Sequence, residues 1–277
     1  MQNGLQLPSL LRFHLNALLE IQEIFVGKDS YSLMSSELHS ERTYRQRISR
    51  KDLCSFQVSV KETDLWICAE TTLETEARNF VHQARHQIET YIRSHPLFLT
   101  SLTPLVVDPF APSLIKEMQR VTGRAGVGPM AAVAGAIAQY VGEGLLTFSE
   151  QIIVENGGDI FLKENRSVTV SIFAGESPFS EKIGIQIHSD QMPTGICSSS
   201  ATVGHSLSMG VTDVVCLLSP SAALADAAAT SLGNRVKKKA HLNHVNDWAD
   251  QIGGITGGVV IVGDRMATWG NIELVAL

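Results

Sequence analysis

The chain is sparing with the residues that mark several functional classes. It has four cysteines in 277 residues (Cys54, Cys68, Cys197 and Cys216), and no two of them form a CxxC pair. The ligand spacing of a zinc site is therefore missing, and the four read as buried, reduced thiols. No apolar run reaches the ~20 residues that a membrane span needs. Basic residues are outnumbered, giving a net charge of −6, so no broad cationic surface points to a nucleic acid. Arg12, Glu20 and Glu23 interrupt the leucines near the start, which does not fit the apolar core of a secretory signal. No strict short-period repeat is present. These absences predict a soluble, cytoplasmic protein with neither nucleic acid nor membrane as its partner.

What is present centres on Gly123 to Leu162. Met130, Val133, Ala134, Ile137, Ala138, Val141 and Leu145 recur at helical spacing. Pro129 stands where a first-turn proline is tolerated. Alanine and glycine dominate this helix, so another backbone can approach it closely. Ile152-Ile153-Val154 reads as a buried strand and Asn156-Gly157-Gly158 as a hairpin turn, because asparagine and glycine accept positive φ. Asp159 follows, where a carboxylate can face a ligand.

Elsewhere the pattern is simpler. Residues 1–39 form a poorly specified extension whose leucines (Leu7, Leu10, Leu11, Leu15, Leu18, Leu19) can line an amphipathic helix. The basic run ERTYRQRISR around residues 41–50 is a solvated face, or else Tyr44 or Arg45 reaches a phosphate. Phe56–Val60 and Leu65–Ala69 predict a hairpin around Glu62-Thr63-Asp64. Thr71 to Arg93 carries one apolar stripe with charges opposite and stops before Pro96. A short helix is expected over Ala111–Val121. Strands are expected at 168–173, 183–188, 213–218, 259–262 and 272–275. A helix opening at Ser219-Pro220 is expected to run to about Val236. Lys237, Lys238 and Lys239 then lead into a polar segment bearing His241 and His244. This order predicts an α+β fold, with long helices packed on one face of antiparallel sheets. Residues 40–277 form the domain, single or built of two pseudo-repeated halves.

Three places can carry chemistry. Asp226 and Thr230 stand four apart on a helix and project from the same face. A carboxylate and a hydroxyl side by side suit magnesium with bound phosphate oxygens. The commoner alternative is Thr230 bonding back to the Asp226 carbonyl with no metal. The segment Gly195–Gly210 (GICSSSATVGHSLSMG) offers Ser199, Ser200, Thr202 and His205 as a cradle for a phosphate or carboxylate, or is a polar loop without a ligand. Cys197 and His205 can instead pair as thiolate and imidazole. The Gly157-Gly158-Asp159 turn is either an ordinary hairpin turn or one that lets a ligand approach. The glycines of GGITGG at 253–258 lack the strand-then-GxGxxG-then-helix setting of a dinucleotide fingerprint.

Taken together, AGVGPMAAVAGAIA, VENGGDI, SSATVGHSLS and ADAAAT, in that order, resemble the ApbE family of flavin transferases, specifically an ApbE-like branch of that superfamily. The resemblance covers roughly residues 40–277 and implies a T-fold-like architecture. It implies an enzyme that binds FAD and uses magnesium to transfer FMN through a phosphoester onto a threonine of a protein acceptor. It implies metal ligation by Asp226 and Thr230, and a flavin site near Gly157, Gly158 and Asp159; Ser199, Ser200, Thr202 and His205 are then expected to contact ligand oxygens. His205 or Asp159 would then move a proton. T-fold proteins often associate through their sheets, so a homo-oligomer is implied as well. Two departures stand out. Where the family has Ala-Lys-Gly, this chain has Ala134-Gly135-Ala136, and GHSLS replaces the late histidine-centred Asp-Pro motif. The alternatives are therefore a ligand-binding or sensor module without transferase chemistry, and a small-molecule enzyme built on Cys197 and His205.

Overall fold

The computed structural model describes residues 52–200 and 210–277. The leucine stripe of residues 1–39, the basic run at 41–50, and Thr202 and His205 lie outside the described residues.

The chain opens with the expected hairpin, β1 (Cys54–Val60) and β2 (Thr63–Ala69). The turn sits one residue earlier than predicted. Val60 pairs with Thr63, leaving Lys61 (φ 53°) and Glu62 as the turn residues. Three helices follow, α1 (Glu74–Ser94), α2 (Leu97–Thr100) and α3 (Ser113–Ala125), and then α4 (Val133–Leu145) behind a 3-10 turn at Pro129–Ala132. The pair β3 (Ile152–Asn156) and β4 (Asp159–Lys163) comes next. Strands β5 (Val168–Ser171), β6 (Ile183–Ile187), β7 (Thr194–Ser199) and β8 (Val214–Ser219) lead to α5 (Ala222–Arg235). The chain closes with α6 (Val245–Ile252), β9 (Gly257–Val262), β10 (Arg265–Gly270) and β11 (Glu273–Ala276).

Among the described residues, eight strands form one antiparallel sheet in the order β1-β2-β3-β4-β7-β8-β9-β10, and a smaller sheet runs β11-β6-β5. Helix α1 packs on β1, α4 on β3 and β4, and α5 on β7 and β8. This is the predicted α+β architecture. No single helix among the described residues is long and apolar enough to cross a membrane.

The differences from the expected elements have local causes. The front of the serine-rich segment is not a loop. Gly195 to Ser199 belongs to β7, which lies between β4 and β8 and buries Ile196 and Cys197. Ser219 is not the cap of α5, because β8 runs through it. Its hydroxyl instead accepts from Ser221 N (3.1 Å), and Ser221 caps the helix by accepting from Leu224 N (3.2 Å). The segment after Lys239 holds a 3-10 turn and α6, which bury Leu242, Val245, Ala249 and Ile252 at helical spacing.

Helix α1 shows its apolar stripe, with Ala77, Val81, Ala84, Ile88 and Ile92 buried. It also buries a charge the periodicity did not place there. Arg85 donates to Thr63 Oγ1 (2.7 Å), Glu62 Oε2 (2.6 Å) and Glu89 Oε1 (3.0 Å), tying α1 to the β1–β2 turn. Removing one member of a buried charge network leaves the others uncompensated. Arg85→Ala is expected to lower stability by about 2 kcal/mol, less than a fully buried pair because Glu62 and Glu89 keep access to water. The shift of the urea unfolding midpoint measures it.

Candidate functional site

The site is built where the N-terminal end of α4 meets β4 and α5. Gly157 (φ 66°) and Gly158 (φ 104°) form the two-residue turn between β3 and β4, both in the left-handed region that such hairpins require. Glu155 Oε1 accepts from Gly158 N (2.9 Å) and pins the turn, while the space over Gly158 is open. Directly after it, Asp159 faces Asn156 across the hairpin and Cys197 across to β7. Residues directly opposite share one face of a sheet, and that face looks at the helices. Asn156 Nδ2 donates to Ala134 O (3.0 Å), and Cys197 Sγ donates to Ala222 O (3.2 Å) at the start of α5. Ser199, two residues beyond Cys197, is buried on the same face, and Ser200 is half-buried at the end of the strand.

Asp226 lies one turn along α5 from Ala222. Its Oδ2 accepts from Gly135 N (2.9 Å). Gly135 makes this possible, since a Cβ there would sit 2.4 Å from Ala222 O and 2.8 Å from the Asp226 Cβ. The second helix can come that close only because position 135 has no side chain. Thr230 is half-buried one turn further on. Unlike Thr122 of α3, which bonds back to Met118 O (2.7 Å), Thr230 donates no back-bond to the Asp226 carbonyl.

The electrostatics of this place are unusual. Burial, and then the charge of Asp226, push the Asp159 carboxyl well above the usual carboxylate range, against the Cys197 thiol and the Ser198 N–H that favour its ionised form. Burial also pushes Asp226 up to about 7, opposed by the Gly135 and Ala134 N–H groups. No lysine or arginine among the described residues contributes to either carboxyl. Asp159 Oδ1 is buried with no hydrogen-bond partner. Two hard oxygen acids crowded together, one with an unused oxygen, suit a divalent cation such as magnesium. Among the described residues no three His, Cys, Asp or Glu side chains cluster as a metal site.

The sequence-predicted residues are thus partly gathered. Gly157, Gly158, Asp159, Cys197 and Ser199 share the β4–β7 edge, and α5 brings Asp226 to it. The backbone donors at Ala134 and Gly135 were missed, as was the bond from Asn156 to Ala134 O. The glycine in Ala134-Gly135-Ala136 was the available signal. Gln139 was missed too: its Oε1 accepts from Ser221 Oγ (3.2 Å), which ties α4 to the start of α5. A separate cavity of about 280 Å³ between α3 and α4, lined by Glu117, Gln139 and Tyr140 among others, includes neither aspartate.

The surroundings of Cys197 disfavour a thiolate. The residue is fully buried, and burial followed by the Asp159 and Asp226 charges holds its thiol well above the usual range. Burial likewise pushes Cys216 up to about 11, and Cys68 is buried, while Cys54 is exposed. Iodoacetamide is therefore expected to label Cys54 alone in the folded protein and the other three only after unfolding. Peptide mass analysis reads this directly.

A family model described as AbpE bacteria matches residues 45–252. The chain belongs to that family. A UPF0280 protein of Methanocella arvoryzae is 38% identical over 214 residues, which is 77% of this chain and 87% of the relative. A UPF0280 protein of Methanococcus maripaludis is 40% identical over 222 residues, covering 78% and 90% respectively. The fold is that of the ApbE enzymes. Flavin transferase ApbE from Vibrio cholerae superposes with a TM-score of 0.51 at 13% identity, over 81% of this chain and 96% of the enzyme. The apo flavinyl transferase ApbE of Pseudomonas stutzeri gives 0.50 at 13%, over 78% and 94%.

Proposed function

We propose that this protein is a cytoplasmic ApbE-like protein that binds a flavin nucleotide or a related phosphorylated ligand with the help of magnesium, at the junction of the Gly157-Gly158 turn, β7 and α5. One observation carries the reading. The segment bearing the GGD carboxyl, Asp159, and the helix bearing the ADAAAT carboxyl, Asp226, are joined through Cys197, which pairs with Asp159 and bonds Ala222 O, although the two aspartates are 67 residues apart in sequence. With no cationic side chain among the described residues at the pair, a phosphorylated ligand has to bring or meet a cation there. Asp226 would hold the metal, with Thr230 as a hydroxyl donor one turn away. When bound, the metal supplies charge stabilisation at a bridging phosphate oxygen. The chain's own part is to fix Asp226 through the α4 N–H groups and to leave open the space over Gly158. Ser199 and Ser200, with Thr202 and His205, would contact ligand oxygens.

In the transferase reading, the hydroxyl oxygen of a protein-acceptor threonine would form a phosphoester with the FMN moiety of FAD as the pyrophosphate P–O bond breaks, AMP leaving and the hydroxyl proton passing to His205 or Asp159. A second reading, ligand binding without transfer, is favoured by position 135. The lysine that the family likeness would place there is absent, and α5 occupies the space its side chain would need. Titration of the purified protein with FAD and magnesium tests the shared claim. Saturable binding that Asp226→Ala abolishes is expected. No binding by the wild type, or the same binding in the variant, rejects it. Mass analysis of a threonine-bearing acceptor after incubation with FAD separates transfer from binding alone.

A further inference from the structure

We propose that Asp159 is a direct ligand of the divalent cation and shares it with Asp226, an assignment that rests on the magnesium-assisted reading above. The resemblance that identifies Asp226 and Thr230 gives Asp159 to the flavin or to proton transfer. The geometry gives it to the metal.

Three sets of contacts tie the strand of Asp159 to the helices that carry and hold Asp226. Asp159 pairs directly with Cys197, and the Cys197 thiol reaches Ala222 O, one helical turn before Asp226 on α5. On its other side Asp159 pairs with Asn156, whose amide holds Ala134 O, next to the Gly135 N–H that Asp226 accepts. Gly135 itself lies against both Ala222 and Asp226. The segments that bear the two carboxyls are thus held together from both flanks, where β4 meets α4 and α5.

The oxygens then decide what that volume holds. Asp226 spends Oδ2 on the Gly135 N–H. Asp159 is 6% exposed, yet its Oδ1 has no hydrogen-bond partner. A buried carboxyl oxygen left unbonded beside a second carboxyl is costly. A proton shared between the pair or a cation bridging it relieves that cost. A cation also explains why no lysine or arginine among the described residues approaches either group, because it supplies the missing charge itself. The ligand chemistry is that of a hard, oxygen-seeking divalent ion, Mg²⁺ or Mn²⁺. Two carboxylates and a nearby hydroxyl leave coordination positions for water and for phosphate oxygens.

The test uses the metal alone, without nucleotide. Mn²⁺ binding is followed by electron paramagnetic resonance, and Mg²⁺ binding by calorimetry and by the rise in Tm, for the wild type, Asp159→Asn, Asp226→Asn and Thr230→Ala. Asp159→Asn is isosteric and removes a buried ionisable group, so in chelator it should melt no lower than the wild type, which checks that it folds. Both aspartate variants are expected to lose more than about tenfold in Mn²⁺ affinity, at least what loss of an outer hydrogen-bond partner of a metal ligand brings. Their Mg²⁺-dependent rise in Tm should vanish as well, with a smaller change in Thr230→Ala. Unchanged Mn²⁺ affinity in Asp159→Asn overturns the assignment, as does a wild type that binds neither ion at millimolar concentration. If FAD binds with magnesium and only Asp226→Asn disturbs it, the flavin reading stands and this assignment falls. If both aspartates hold Mn²⁺ and FAD does not bind, the reverse holds.

Discussion

Gly135→Lys is expected to destabilise the fold severely, not to restore a transferase. The substitution looks like a repair, because it puts the family's lysine back into Ala134-Gly135-Ala136. The packing forbids it. The first side-chain atom would lie 2.4 Å from Ala222 O and 2.8 Å from Ala222 C, both backbone atoms that cannot rotate aside, and 2.8 Å from the Asp226 Cβ. Helix α5 would have to move off α4. The Gly135 N–H would then lose Asp226, and the Cys197 bond to Ala222 would break with it. Overpacking a core costs about 1–3 kcal/mol even where side chains alone must yield. Here backbone must yield, and a loss above about 3 kcal/mol is expected, a large share of the 5–15 kcal/mol that hold a typical domain together. Gly135→Ala should already be severe, because the clash is at Cβ. The control is Gly123→Ala on α3, where an added Cβ meets nothing within 4 Å. Alanine outranks glycine in a helix by about 0.5–1 kcal/mol, so that variant should gain about that much. Urea unfolding of the pair distinguishes close helix contact from a general intolerance of glycine replacement. Equal and small effects would show that α4 and α5 are not in contact at this point.

Legibility followed the range of the interactions involved. The stripe on α1, the β3–β4 hairpin with its two glycines, and the α4 helix were readable because period and turn chemistry are local. Strand β7 was not. Gly195–Ser199 reads as a loop from composition, and it becomes a strand because β4 and β8 supply partners 38 residues before Cys197 and 20 after it. Residues 265–270 and 245–252 were missed for a similar reason, since β10 is fixed by pairing with β9 and α6 by burial of Val245, Ala249 and Ile252. At the site, each aspartate announced itself inside its own motif. Their proximity did not, because it depends on a glycine that lets two helices touch and on a thiol that binds a distant helix to β7. The alternation of Cys197 with Ser199 was visible in the sequence, but which face met the helices was not.

Metal-free protein is expected to lose stability as pH rises from about 4 to 7, contrary to the usual gain over that range. The sign follows from Asp226, whose folded-state value of about 7 lies above its ordinary 3.8. A group raised in this way holds its proton more tightly in the folded chain. Its contribution is complete below pH ~4, declines as the pH climbs, and is gone above ~7. At 1.36 kcal/mol per unit the ceiling is about 4 kcal/mol, and partial exposure of Asp226 reduces it to about 2–3 kcal/mol. Asp159, raised in the same direction, steepens the decline. Asp226→Asn keeps the shape and removes the titration. In chelator it should flatten the pH profile and leave the variant more stable than the wild type near pH 8 by about 2 kcal/mol. Magnesium should separate the two proteins in the opposite sense, because a cation replaces the proton that the wild-type pair has lost and finds no charge in the variant. Urea midpoints across the pH series, with and without magnesium, decide the matter. A wild-type profile that rises with pH in chelator, or a variant with the same slope, would mean that the pair is hydrated and carries no stored cost for a metal to relieve. A protein that tolerates such a cost in its core at neutral pH is explained most simply by a site shaped for its occupant and not for the empty fold.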